Sequence, residues 1–119
     1  MISKRAVVMM TNKNLQRLFN QLNERFFDNR LESTASFRDT SYSRLDVDAL
    51  YSVGDRKIVI DSSLRSHSCL THLVLLHEMV HADLCLRGYK GYSSDGGHGM
   101  LFYVEVDRLY REGAYDGIL

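Results

Sequence analysis

The stretch of residues 69–87 constrains the fold most, because it is apolar on nearly every side. Leucine, valine and methionine recur through it without the continuous polar face of a surface helix. A helix that is apolar all round lies inside a protein, and Gly88 is a typical residue for its end. The sequence therefore predicts a buried helix around which the rest of the chain packs.

The polar residues of this helix include the pattern H-E-x-x-H, formed by His77, Glu78 and His81. Side chains four residues apart lie one above the other on a helix, so the two imidazoles can converge on one zinc ion at about 2.0–2.1 Å. Glu78, turned about 100° from His77, can act as general base toward a water in an open coordination position. The alternative is a pair of core histidines bonded to backbone or water, since buried polar groups need partners.

A third zinc ligand is expected, because catalytic zinc sites usually have three protein ligands and a water. His98, which lies between glycines in the sequence G-G-H-G, is the predicted ligand. It begins the last predicted helix, residues 98–112, one turn before Phe102 on the apolar face. Glu105 is the rival ligand, on nearly the same face two turns further on, and one metal ion could not readily use both.

The other candidate side chains are weaker. Tyr92, in the glycine-rich loop before His98, is the preferred donor to a developing oxyanion, ahead of Tyr89 and Tyr103, with packing as the alternative for each. Four more side chains of metal-binding type are expected to be structural, solvent-facing or small buried hydrophobes: His67, His72, Cys69 and Cys85.

The remaining segments predict an α+β fold. A helical pattern runs from residue 11 or 12 to residue 27, with Asn12 able to cap its start. Two strands, residues 45–53 and Lys57–Asp61, are joined by a hairpin connection, and residues 33–38 form a weaker third strand. Because the strands are grouped rather than alternating with helices, we expect a small antiparallel sheet. A length of 119 residues, without proline or a linker, predicts a single domain spanning residues 1–119.

The charge and the cysteine content restrict the expected partners and the expected cellular location of the protein. The net charge is zero, but residues 1–66 carry 11 basic against 8 acidic side chains. A solvated helix face and a weak nucleic-acid contact are the alternatives for this basic segment. With two cysteines and no apolar run of signal-peptide or membrane-spanning length, we expect a cytoplasmic protein without a membrane partner.

These motifs together resemble the SprT-like zinc metalloprotease family, which includes the Spartan-type DNA–protein crosslink proteases. The resemblance covers residues 12–112. It rests on H-E-M-V-H-A at residues 77–82, G-H-G-x-x-F at residues 97–102, the Leu18-Phe19-Asn20 and Phe26-Phe27 helix, and the strand Lys57–Asp61 with the S-S-L that follows. It implies a zincin-like metalloprotease core, with one zinc on His77, His81 and His98 and Glu78 as base. The expected form is a catalytic core without the C-terminal zinc ribbon of fuller members, which leaves a role in DNA repair open.

The predicted activity is that of a zinc-dependent metallopeptidase acting on a protein or peptide. An extended substrate could add to an exposed strand edge beside the cleft, supplied by residues 45–53 or by Lys57–Asp61. Two alternatives remain. One is a zinc-stabilised module that binds nucleic acid or a protein partner without catalysis, although structural zinc needs no general base such as Glu78. The other is a zinc hydrolase whose substrate is not a peptide.

Overall fold

The computed structural model describes residues 8–39, 49–52, 54–89 and 99–118. Over these ranges the chain is α+β, as predicted, with three α-helices and a three-stranded sheet. The elements in chain order are α1 (Asn12–Phe26), β1 (Thr34–Arg38), β2 (Ala49–Ser52), β3 (Lys57–Asp61), a 3-10 helix (Ser62–Ser66), α2 (Ser68–Leu86) and α3 (Met100–Arg111).

Helix α1 forms where the periodicity predicts it, but Thr11 caps its start instead of Asn12. The Thr11 hydroxyl accepts a hydrogen bond from the Asn14 N–H at 3.1 Å, and the Asn14 side chain reaches back to the Thr11 N–H. This is a capping box, which satisfies two amide groups at the helix terminus. The Asn12 side chain instead contacts the sheet, where its oxygen accepts a hydrogen bond from the Phe37 N–H of β1 at 2.8 Å.

The sheet is mixed, which corrects the prediction of an antiparallel sheet. Strands β2 and β3 form the predicted antiparallel pair, whereas β1 runs parallel to β3. Alternation of apolar residues is the same in both kinds of sheet, so the sequence of β1 predicts a strand but not its direction. Residues 45–48 and 53 of the predicted strand 45–53 lie outside the described residues.

The strand order β1-β3-β2 also decides which edge can receive another strand. Strand β3 is central, so the prediction that Lys57–Asp61 could supply a free edge is wrong. On β1, the outward N–H groups of Ala35 and Phe37 donate to the side chains of Gln16 and Asn12, both at 2.8 Å. Among the described strands, β2 is therefore the edge left for pairing.

One apolar cluster joins the helices to the sheet. Its centre is α2, as the apolar sequence of that helix predicts. The cluster includes side chains of α2, β3 and α1 that are almost without exposed surface, among them Leu75, Leu76, Met79, Ile58, Ile60, Leu15 and Phe19. Burying each large apolar side chain stabilises the fold by about 1.5–3 kcal/mol. At the end of α2, Gly88 has a φ of 84° and the Tyr89 N–H donates to the Leu84 carbonyl, which confirms the predicted stop.

Helix α2 is long and apolar enough to cross a membrane, by length and composition. This corrects the expectation that no stretch approaches that length. Half of this apolar stretch is buried inside the protein, and the same helix carries His77, Glu78 and His81. A core helix passes the same test of length and composition, because burial within a protein also selects apolar residues on every side.

Candidate metal centre and cleft

The two histidines of the H-E-x-x-H pattern lie side by side on α2. The ring centroids of His77 and His81 are 5.0 Å apart, with an angle of 70° between the ring planes. Both side chains are partly exposed, whereas their neighbours Met79 and Val80 are fully buried. The helix therefore presents two imidazoles on one accessible face, as their spacing predicts.

Glu78 lies beside this pair but is largely buried, with 8% of its surface exposed. Burial in an apolar environment disfavours the charged carboxylate and raises the pKa of Glu78 from 4.5 to about 7. A carboxyl with a pKa near neutrality can both accept and return a proton at ordinary pH, which is the property a general base and acid needs.

The Phe102 ring packs against both histidines of the pair. Its ring centroid lies 4.8 Å from that of His77 and 4.8 Å from that of His81, and only 4% of its surface is exposed. Because Phe102 is in the first turn of α3, this contact brings the start of α3 against the two imidazoles. The sequence indicated Phe102 only as part of the G-H-G-x-x-F motif and of an apolar face, and ring packing on both histidines was not predicted.

The predicted third ligand, His98, and the predicted oxyanion donor, Tyr92, both lie outside the described residues. Within the described ranges, no group of three or more histidine, cysteine, aspartate or glutamate side chains is placed to hold a metal ion. The structure therefore brings together His77, Glu78 and His81, and a third ligand from His98 stays a prediction.

Glu105, the rival ligand, has other partners. Its carboxylate lies 2.9 Å from the Arg87 guanidinium and 2.9 Å from that of Arg108, with 12% of its side chain exposed. Burial raises the pKa of Glu105, but the hydrogen bonds and charges of Arg108 and Arg87 outweigh it, and the net pKa is lowered. Glu105 therefore forms ion pairs with two guanidinium groups, one beside the end of α2 and one on α3. Because both carboxylate oxygens are engaged in these pairs, the arrangement argues against Glu105 as a metal ligand.

Arg87 also pairs with a second buried carboxylate, Asp83, which was not among the predicted candidates. Asp83 on α2 has no exposed surface, and it lies 2.8 Å from the Arg30 guanidinium and 3.4 Å from that of Arg87. Arg108 also donates to the Phe26 carbonyl at the end of α1. The charge of Asp83 within an apolar helix was the available signal, because a buried charge needs a partner. The network joins the ends of α1 and α2 to α3.

The remaining histidines and cysteines take no part in the pair. His72 is hydrogen-bonded to the backbone of Ala114, and burial lowers its pKa, so it has the expected structural role. His67 is exposed, which agrees with one of its two expected roles, a solvent-facing side chain. Cys69 is exposed, which corrects the expectation of a small buried hydrophobe, and Cys85 is partly exposed. Cys69 is in the first turn of α2, before that helix enters the core.

A cleft of about 800 Å³ opens beside the candidate site. His77 and Glu78 are part of its wall, which also includes Ala49 of β2, Val74 of α2 and Val106 of α3. Tyr103 also lines it, while Tyr89 lies 46% exposed against the Arg87 guanidinium. A concave, mainly apolar cleft with a few polar groups is the usual form of a small-molecule or peptide site.

The structure describes part of the basic N-terminal segment. Arg30 is engaged with Asp83, and the Arg25 guanidinium lies over the Phe26 ring at 5.4 Å. Lys13 and Arg17 are exposed on α1, and Lys4 and Arg5 lie outside the described residues. Arg25 is exposed as well, so all three basic side chains of α1 face solvent. The solvated face and the weak nucleic-acid contact both stay predictions.

Comparison with known proteins does not assign the chain to a family. No protein-family model matches the chain, and no curated protein matches it. The interpretation of this site consequently depends on the residues and the geometry described above.

Proposed function

We propose that this protein is a zinc-dependent metallopeptidase of the SprT-like kind, with a zincin-like core, one zinc per chain and a cytoplasmic location. The observation that carries the proposal is the arrangement on α2: two adjacent imidazoles on one face, with a desolvated carboxyl between them in sequence. All three side chains belong to the buried helix, and two of them line the cleft.

The residues present are suited to zinc. For two imidazoles bound at about 2.0–2.1 Å with near-tetrahedral angles, ring centres lie roughly 5 Å apart, and the observed separation is 5.0 Å. His77 and His81 would hold the metal with His98 as third ligand. In the sequence His98 immediately precedes Gly99, the N-cap of α3, and Phe102 of that helix contacts both rings.

When bound, zinc would polarise a water and the carbonyl of the scissile bond. The protein's own contribution is the handling of protons and the exclusion of solvent. The Glu78 carboxylate would accept the proton of the attacking water and later deliver it to the leaving amine. Phe102 contacts both histidine rings, with ring centroids 4.8 Å away, and would restrict their orientation. An extended peptide would pair with the β2 edge, whose Ala49 lines the cleft.

The test compares Glu78→Gln with His77→Ala in purified protein. Glu78→Gln keeps the shape of the side chain, so zinc content should stay near one per chain while peptide hydrolysis falls by about 10²–10⁴. His77→Ala should lose zinc and also stability, because metal binding is coupled to folding. Metal analysis and a protein-substrate panel read by mass spectrometry, with and without a chelator, provide the measurements.

Matched controls are His67→Ala and His72→Ala, which should leave zinc content unchanged. Hydrolysis that persists in Glu78→Gln would overturn the mechanism. Zinc binding without any chelator-sensitive cleavage across the panel would favour a zinc-stabilised binding module instead, and cleavage confined to non-peptide substrates would favour another zinc hydrolase.

A further inference from the structure

The cleft contains a pocket whose position relative to Glu78 is set by helix α2. Leu73 is four residues before His77, and Val74 is four residues before Glu78, so each lies one turn before its partner on the same face. Four residues of helix correspond to about 6 Å along the axis. The apolar wall therefore begins one helical turn from the groups proposed to act on the substrate.

The opposite wall comes from α3. Val106 is four residues after Phe102, the residue that contacts both histidines, and Tyr110 is four residues further on. Both line the cleft together with Leu73 and Val74. We call the space between these four side chains the apolar pocket.

The charges around the cleft favour neutral side chains. The charged residues described in its wall are two carboxylates, Glu78 and Asp107, and the described lining includes no lysine or arginine. The Asp107 carboxylate lies 3.0 Å from the Arg111 guanidinium, so its charge is balanced by its own helix. An acidic substrate side chain would lose water against apolar walls without a lysine or arginine in the described lining to pair with, whereas an apolar side chain would bury surface against those walls.

We propose that the apolar pocket binds a large aliphatic or aromatic side chain of a peptide substrate, within two residues of the cleaved bond, and disfavours acidic side chains. An extended peptide advances about 3.3 Å per residue, so the helical turn that separates the pocket from His77 and Glu78 corresponds to one or two residues. This inference rests on the proposed peptidase function, because it takes the histidine pair as the place of cleavage.

The experiment measures binding apart from turnover. Zinc-loaded Glu78→Gln protein is titrated with short fluorescein-labelled peptides in which one residue varies among phenylalanine, leucine, alanine and aspartate, and fluorescence anisotropy is recorded. Burial of a leucine or phenylalanine side chain should tighten binding about 10- to 100-fold over alanine. The aspartate peptide should bind more weakly than the alanine peptide.

A matched pair of variants locates the effect. Val106→Asp, added to Glu78→Gln, should abolish the preference for leucine and phenylalanine, because it places a charge in the pocket wall. Val104→Asp on the same helix should keep the preference, since Val104 is 51% exposed and is not part of the described cleft lining. Equal affinity for all four peptides would overturn the inference even if Val106→Asp does not fold.

The peptidase function and the apolar pocket can be refuted independently of each other. If wild-type protein cleaves the peptides without regard to the varied residue, the apolar pocket is refuted and the peptidase stands. If Glu78→Gln binds the apolar peptides with the expected preference but wild-type protein cleaves none, binding of apolar side chains in the pocket stands, and the peptidase and the inferred distance to a cleaved bond are refuted. Mass spectrometry of the products locates the cleaved bond, and a preferred apolar residue more than two positions away would contradict the inferred distance.

Discussion

The burial of Glu78 predicts how the stability of the metal-free protein depends on pH. The pKa of this carboxyl is raised from 4.5 to about 7 by desolvation. Below pH 4.5, Glu78 is protonated in both the folded and the unfolded chain, and no free energy is lost. Between 4.5 and about 7 the unfolded chain releases the proton while the folded protein retains it, so folding becomes less favourable as pH rises.

The magnitude follows from the size of this change. At 1.36 kcal/mol per pH unit, a rise from 4.5 to about 7 corresponds to about 3 kcal/mol of lost stability above pH 7. Glu78→Gln has a similar shape and no charge to desolvate. We therefore expect the variant and the wild type to be equally stable below pH 4.5 and the variant to be more stable above pH 7, by up to about 3 kcal/mol or about 10 °C in melting temperature.

The assay is thermal and urea unfolding of both proteins in chelator across this pH window, followed by circular dichroism. Glu24→Gln, on the exposed side of α1, is the control and should change stability by no more than about 0.5 kcal/mol at any pH. Adding zinc should reduce the advantage of Glu78→Gln, since a nearby cation favours the carboxylate. An advantage of the same size at every pH would refute the reasoning, because desolvation of a titrating group must depend on pH.

Three other predictions concern the third ligand, the buried ion pair and nucleic acid. His98→Ala should lower zinc occupancy while Glu105→Ala keeps it, as measured by metal analysis of folded protein; the reverse result would make Glu105 the ligand. Arg30→Met should destabilise the protein by about 2–4 kcal/mol in urea unfolding, because it removes the shorter of the two ion pairs of buried Asp83 and leaves Arg87 at 3.4 Å as its partner, whereas Arg111→Met breaks an exposed pair and should cost less than about 1 kcal/mol. Any binding to DNA should be weak and should fall steeply with salt in anisotropy titrations, and tight binding at high salt would contradict the solvated-face interpretation.

Local patterns predicted the elements well where one physical signal dominated. The apolar stripe of α1 and the all-round apolarity of α2 specified two helices to within one or two residues, and Gly88 marked the end of α2, because these are properties of short stretches of chain. The adjacency of His77 and His81 followed in the same way, since four residues of α-helix always bring two side chains to one face. The predicted His98 and Tyr92 lie outside the described residues and stay predictions.

The pairing of distant segments was decided only by the tertiary structure. The parallel direction of β1 and the covering of its edge by α1 depend on which segments meet, and residue alternation does not encode that choice. The same holds for Glu105, whose position on the helix makes it a rival ligand but does not reveal the Arg87 and Arg108 guanidinium groups beside it. Whether a carboxylate serves as a metal ligand, an ion-pair partner or a base depends on the charges and the solvent around it. The sequence determined which side chains lie on one helix face, and only packing among helices determined which of them lost water and which gained a counter-charge.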